Sequence, residues 1–302
     1  MAISNVSTQA SVAYDWRDYY EMTKPKVVLL IAFTALVGML LSTEGWVPWQ
    51  ILLFGLTGIS LAAASGAVIN HIIDQRIDAV MDRTSWRPIP SGHMDTPHAL
   101  SFALALGLAS MALLYFLVNP LTALLTCLAL IGYAVIYTRY LKRSTPQNIV
   151  WGGLAGAAPP LLGWCAATGE VSLEAFLLLL IIFVWTPPHF WPLAIHRRDD
   201  YAKADVPMLP VTHGIDFTKQ QVLIYAVMLL AVSLLPFAIH MSGYLYLAGA
   251  TLLGLGFIRH AVILLRSEGR EHAMKTFGFS ILYLSLLFTL LLVDHYLQML
   301  VS

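Results

Sequence analysis

The sequence predicts an all-α fold: a polytopic membrane protein with nine spanning helices and a cytoplasmic N-terminus. Three observations carry this expectation. The 302-residue chain is 58% hydrophobic and 11% charged, with a mean hydropathy of +0.73, whereas soluble domains carry about 25% charge. Nine apolar runs approach the roughly 20 residues that a bilayer-spanning helix needs. All 17 Lys and Arg fall in alternate loops, so the positive-inside rule orients the chain.

The runs are 27–43, 48–70, 98–118, 120–138, 148–168, 172–195, 220–240, 243–261 and 276–299. Runs three and four are separated only by Val118-Asn119-Pro120, a tight hairpin whose proline suits a new helix start. The basic loops hold Arg17, Lys24 and Lys26; Arg76, Arg83 and Arg87; Arg139, Lys142 and Arg143; Arg197, Arg198, Lys203 and Lys219; and Arg259, Arg266, Arg270 and Lys275. The opposite loops carry only Glu44, Glu170, Glu174 and Asp294. An extra or missing span would scramble that pattern. Residues 1–22 read as an N-terminal cytoplasmic segment, with 1–14 a disordered tail, and 23–302 as one membrane domain. No small-residue cleavage site marks a signal peptide. A formal net charge of zero predicts no nucleic-acid partner. Cys127 and Cys165 lie in apolar runs without metal-ligand spacing and read as small hydrophobes.

Polar chemistry concentrates in the basic loops. After span two, Asn70, Asp74, Asp78 and Asp82 recur every fourth residue. On a helix they form one stripe, its three carboxylates spanning roughly 12 Å. Like charges so placed repel, and a divalent ion that favours oxygen ligands would relieve them. A solvated helix end with acids paired to Arg76 and Arg83 is the plain alternative. The strict period, the start inside the apolar run and the Pro-Gly turn at 88–92 weigh against it.

A second acidic group, Asp199, Asp200 and Asp205, follows span six. The segment Tyr137 to Asn148 adds Lys142, Arg143, Thr145, Gln147 and Asn148. Lys142 and Arg143 alone would be explained by membrane orientation. Two acidic clusters holding Mg²⁺ and one basic cluster would together bind a diphosphate. In span six, Trp185-Thr186-Pro187-Pro188-His189-Phe190-Trp191 sets two prolines beside a buried imidazole. The prolines should break or kink the helix, and a polar group at that depth reads as functional. Span five carries a similar disruption at Gly152 to Pro160, where small residues favour close helix packing.

These residues resemble the UbiA-type intramembrane prenyltransferases. Asn-x3-Asp-x3-Asp after span two, acids after span six and nine helices carry the superfamily likeness. Asn70 to Pro90, Tyr137 to Asn148, Gly156 to Trp164, Thr186 to Trp191, Asp200-Tyr201 and Pro207 to Pro210 resemble its heme-farnesylating branch. The likeness runs from Thr23 onward. It implies nine helices around a central cavity and transfer of a farnesyl group from farnesyl diphosphate to a vinyl group of heme B. Water addition then gives heme O and diphosphate. It implies Mg²⁺ on Asn70, Asp74, Asp78, Asp199 and Asp200, with Asn70, Asp74, Asp78 and Asp200 catalytic. Arg87, Lys142, Arg143, Gln147 and Asn148 would contact diphosphate, and His189 would orient or ligate the heme. The expected setting is a bacterial inner membrane with the site facing the cytoplasm. The expected partners are the lipid bilayer and the terminal-oxidase assembly or heme-handling proteins that take the product.

One departure stands out. The superfamily often shows Asp-x3-Asp in its second cluster, but here His196 occupies the position four before Asp200. Asp205 falls outside the spacing, and Asp82 either extends the metal site or ends the stripe. Two other readings remain. One is a sister prenyltransferase acting on an aromatic acid, a quinone precursor or a chlorophyll-like tetrapyrrole; His189 and the Pro-Pro element favour heme. The other is an ion-coupled transporter, which would place coupling carboxylates near the bilayer midplane rather than at the basic ends of spans.

Overall fold

The computed structural model describes residues 14–301, and the side chains through Leu300. The described residues are helical with no strands. Among the described residues, eight helices are long and apolar enough to cross a membrane. A ninth span is made by α1 (Trp16–Met22) and α2 (Pro25–Leu41), which meet at 49°. Nine spans therefore match the apolar runs. The expected tail lies outside the described residues except for Tyr14. That residue is packed: its hydroxyl donates to Asp95 at 2.7 Å and its ring lies on His98. Residues 16–22 are also ordered, with Asp15 capping α1 and Met22 buried beside Val68, Met94, Ala99 and Ala103.

α3 (Trp49–Val80) carries the stripe as a helix ten residues past Asn70, as its four-residue period requires, and ends just before Asp82. It stays helical because its acidic rungs are buried and paired, so the backbone does not unravel into solvent. α9 (Leu173–His196) differs from expectation in one respect: of the break or kink expected at its prolines, no break occurs, and it runs unbroken through Pro187, Pro188 and Pro192. Its flanks explain this: α9 packs on α7 (Asn148–Ala157), α12 (Ile215–Ser233) and α15 (Ala273–Val301). Thr186 also donates its hydroxyl to the Ile182 carbonyl at 2.8 Å, one residue before the prolines begin. Span five does break, between α7 and α8 (Pro159–Thr168).

Small residues set the helix spacing. Ser65 and Ser110 donate to Ala103 and Gly58 carbonyls at 2.8 and 2.6 Å, locking α3 to α4 (Thr96–Leu117). α2 and α8 approach until a methyl group on Gly38 would strike the Pro160 carbonyl, and one on Gly163 the Ala35 carbonyl. Asp294 of α15 accepts from the Gly243 and Tyr246 amides and caps the start of α14 (Tyr244–Arg266). The helices enclose a cavity of about 570 Å³, within the range of small-molecule sites.

Gly163→Ala should drive α8 off α2 and cost about 1–3 kcal/mol, the usual result of overpacking. An unchanged unfolding midpoint in detergent would show that the two helices are not in close contact.

A cradle of carboxylates and cations at the cavity mouth

The stripe residues Asn70, Asp74 and Asp78 are buried and line the cavity. Each meets its own cation. The Lys24 ammonium donates to Asn70 Oδ1 at 2.6 Å. Lys142 donates to Asp74 Oδ2 at 2.5 Å, and Arg87 to Asp78 Oδ2 at 2.7 Å. Asn70 Nδ2 also donates to Asp74 Oδ2 at 2.8 Å. The repulsion implied by the sequence is thus answered by cations from three other segments. Asp82 lies past the helix end, exposed, with Lys203 at 3.9 Å, so the stripe has three buried rungs.

Local folding explains how the cations arrive. Lys24 sits in the left-handed region at φ 52°, where α1 turns into α2. Arg87 lies in a compact turn: Thr84 donates its hydroxyl to the Asp78 carbonyl at 3.2 Å, and Ser91 its own to the Arg87 carbonyl at 2.8 Å. Lys142 follows a π-helix, Gly132–Leu141, that continues α5 (Pro120–Ile131). Such helices are rare and occur often at functional sites. Asn148 donates to the Lys142 carbonyl at 3.1 Å and fixes that corner.

The remaining candidates separate. Arg143 and Gln147 are exposed, Asn148 is buried behind Lys142, and none of them lines the cavity. Asp199 forms a two-pronged pair with Arg270 at 2.8 Å and points to solvent. Arg270 holds the Asp199 carboxyl below its ordinary pKa, so this clamp is intact at neutral pH and weakens only as pH falls through that lowered value. Asp200 Oδ2 is buried without a hydrogen bond, 3.6 Å from Arg197, and does not line the cavity; its neighbour Tyr201 does. His189 lines the cavity.

Sequence reasoning missed Lys24, taken only as an orientation charge, and the tyrosines Tyr133, Tyr137 and Tyr201 on the cavity wall. The rings of Tyr133 and Tyr137 stack at 5.9 Å. A methyl on Gly152 would strike Tyr137, so that glycine makes room for the ring. The Lys in Thr23-Lys24-Pro25, just before an apolar run, was the available signal.

The donor set suits a hard cation. Its ligands are all oxygens, and Asp74 Oδ1 is buried without a hydrogen-bond partner among the described residues. Among those residues, no three His, Cys, Asp or Glu gather as a ready-made metal centre. Both facts fit Mg²⁺, which commonly binds one or two carboxylates and takes its other ligands from water and substrate phosphates.

Arg87→Met should cost about 3–5 kcal/mol, because it leaves the Asp78 carboxylate buried and unpaired. Arg143→Met, at an exposed position off the cavity, should stay within about 0.5 kcal/mol. Thermal unfolding of both variants in detergent checks the contrast, and equal losses would contradict it.

The UbiA prenyltransferase family model matches residues 31–288. A protoheme IX farnesyltransferase of Thioalkalivibrio sulfidiphilus is 64% identical over 302 residues, covering all of both chains. One from Nitrosococcus oceani is 60% identical, covering 94% of this chain and 95% of its own. In fold, a structure described for digeranylgeranylglyceryl phosphate synthase superposes with a TM-score of 0.78 at 20% identity, covering 93% of this chain and 98% of its own. A UbiA homologue from Archaeoglobus fulgidus, bound to GPP and Mg²⁺, gives 0.60 at 16% identity, covering 91% and 99%. With the family model spanning most of the sequence and relatives 60–64% identical over at least 94% of it, this chain belongs to the UbiA prenyltransferase family.

Proposed function

We infer that this enzyme transfers a farnesyl group from farnesyl diphosphate to a vinyl group of heme B, with addition of water, giving heme O and diphosphate. Relatives named protoheme IX farnesyltransferase, 60–64% identical over nearly the whole chain, support the activity. The observation that carries the site assignment is the layout of the cavity. Its charged rungs open directly into an apolar chamber lined by Ile31, Ile59, Leu130, Leu162, Ile182 and Leu284. A molecule with a diphosphate head and a hydrocarbon tail fits that division.

In the reaction the C1–O bond of farnesyl diphosphate breaks and its electron pair leaves with diphosphate. The vinyl π pair then forms the new bond to C1. Water captures the resulting cation and loses a proton. Asn70, Asp74 and Asp78 are the proposed metal-holding residues, with Asp200 at the edge of the site. Bound with the substrate, Mg²⁺ would neutralise charge developing on the leaving group. Lys24, Arg87 and Lys142 are placed to turn from the stripe onto phosphate oxygens, as preorganised cations for that charge. Arg143 and Gln147 would act only at the rim, Asn148 through Lys142, and Asp199 through its clamp with Arg270. Tyr133 and Tyr137 line the cavity, and a cation in the allylic chain would be attracted to their ring faces. Apolar walls keep water from that cation before the acceptor reaches it.

The basic loops gather at the cradle end of the bundle, which supports a site facing the cytoplasm of a bacterial inner membrane. Heme O would pass to heme-handling proteins or to terminal-oxidase assembly.

Purified protein with Mg²⁺, heme B and farnesyl diphosphate should yield heme O by mass spectrometry. No product where a relative such as the Thioalkalivibrio enzyme turns over would overturn the heme reading. Asp74→Asn should lower turnover by at least about 10²–10³-fold with normal membrane insertion. Retained turnover would remove Asp74 from the metal site.

A further inference from the structure

His189 of α9 is held by contacts that diphosphate chemistry does not use. Its ring stacks on Trp185 at 4.1 Å and 14°, and on Phe277 of α15 at 4.6 Å and 22°. Phe190 meets it edge-on at 4.8 Å. These contacts leave the imidazole little freedom to turn.

Ser280 completes the arrangement. Its hydroxyl oxygen lies 2.6 Å from His189 Nδ1 and 2.6 Å from the Phe277 carbonyl oxygen. A serine hydroxyl has one proton to give, and the carbonyl can only accept. If that proton went to Nδ1, two oxygens would face each other at 2.6 Å with no hydrogen between them. Both contacts are satisfied only when Ser280 donates to Phe277 and accepts from Nδ1–H. The imidazole is therefore the Nδ1–H tautomer, with its lone pair on Nε2. Nε2 has no hydrogen-bond partner among the described residues, and the ring lines the cavity. The Ser280 carbonyl also accepts from Trp185 Nε1 at 2.8 Å, so one residue anchors both the imidazole and the indole stacked on it.

Metal-binding histidines almost always donate their second ring nitrogen to an oxygen acceptor that fixes tautomer and direction. Here that acceptor is in place, and the ring lines a cavity whose wall also includes Ile182 and Leu284. We propose that Nε2 of His189 is the axial ligand to the iron of the tetrapyrrole acceptor, and that Ser280 is the positioning residue that holds it in the ligating tautomer. This rests on the heme reading above and extends it to a residue on another helix. Coordination would fix the macrocycle relative to the cradle, and so which vinyl group meets the farnesyl C1.

Ferrous heme B bound to the full-length protein in nanodiscs should show an iron–histidine stretch by resonance Raman spectroscopy. His189→Gly should lose that band, and added imidazole should restore it. Ser280→Ala should shift the band to lower frequency and weaken heme affinity about 10–100-fold. Ser280→Thr, which keeps the hydroxyl, should restore both. A band that survives His189→Gly overturns the ligand assignment, and an unchanged band and affinity in Ser280→Ala overturn the positioning role. Heme that binds and is farnesylated while either result appears leaves the function standing and sinks only this inference. No heme binding at all sinks both.

Discussion

Two carboxylates four residues apart, Asp74 and Asp78, are buried inside a membrane bundle, and much of the surrounding chain is arranged to neutralise them. An unpaired buried charge costs several kcal/mol. The partners are therefore as much a part of α3 as its own backbone bonds. Arg87 reaches Asp78 from the turn after α3 and Lys142 reaches Asp74 from the end of the π-helix, while Lys24, from the α1–α2 junction, bonds Asn70 beside them. Each is held by local structure that otherwise looks arbitrary: a left-handed lysine, a serine- and threonine-braced turn, and a helix of the rarer kind. Pairing also explains why α3 stays helical ten residues beyond its apolar run.

The same pairing lets the site exist before substrate arrives. A bare acidic cluster under a membrane would be strained, and a bare cationic cluster would trap any anion. Holding each against the other gives a cradle neutral enough to fold. It can still separate into metal ligands and phosphate ligands when a metal diphosphate enters. Lys24 meets an amide rather than a carboxylate, so its charge stays available to an incoming anion. Asp74 keeps one oxygen unengaged, so the stripe has a free ligand position without breaking an ion pair.

Much of this was legible in the sequence. The nine spans followed from apolar runs and from the confinement of every Lys and Arg to alternate loops, because bilayer thickness and insertion read composition directly. The four-residue period placed Asn70, Asp74 and Asp78 on one face because helical geometry is local. The identity of the counterions was not legible, since pairing Lys24 with Asn70 or Lys142 with Asp74 depends on how distant helices pack. Arg143, next to Lys142 and equally basic, faces outward, and adjacency in sequence cannot separate the two. Local rules offered a break or a kink at Pro187-Pro188, and between neighbouring helices α9 stays continuous. Ser280, in an unremarkable apolar stretch, becomes visible only when α15 is set against α9.

The π-helix shows how a departure from regular geometry serves the site. Tyr133 and Lys142 both line the cavity although they are nine positions apart. At 3.6 residues per turn that offset is about two and a half turns, which would put them on opposite faces of an α-helix. The wider turn brings Tyr133, Tyr137, Thr138 and Lys142 round to one side. Thr138 marks the register by donating to the carbonyl five residues back, on Tyr133, at 2.8 Å. Straightening the segment into an α-helix would keep its apolar character and its membrane insertion. It would turn away either the rings or the ammonium that answers Asp74. The rarer helix is therefore the means by which one span contributes both to the charged cradle and to the apolar chamber beside it.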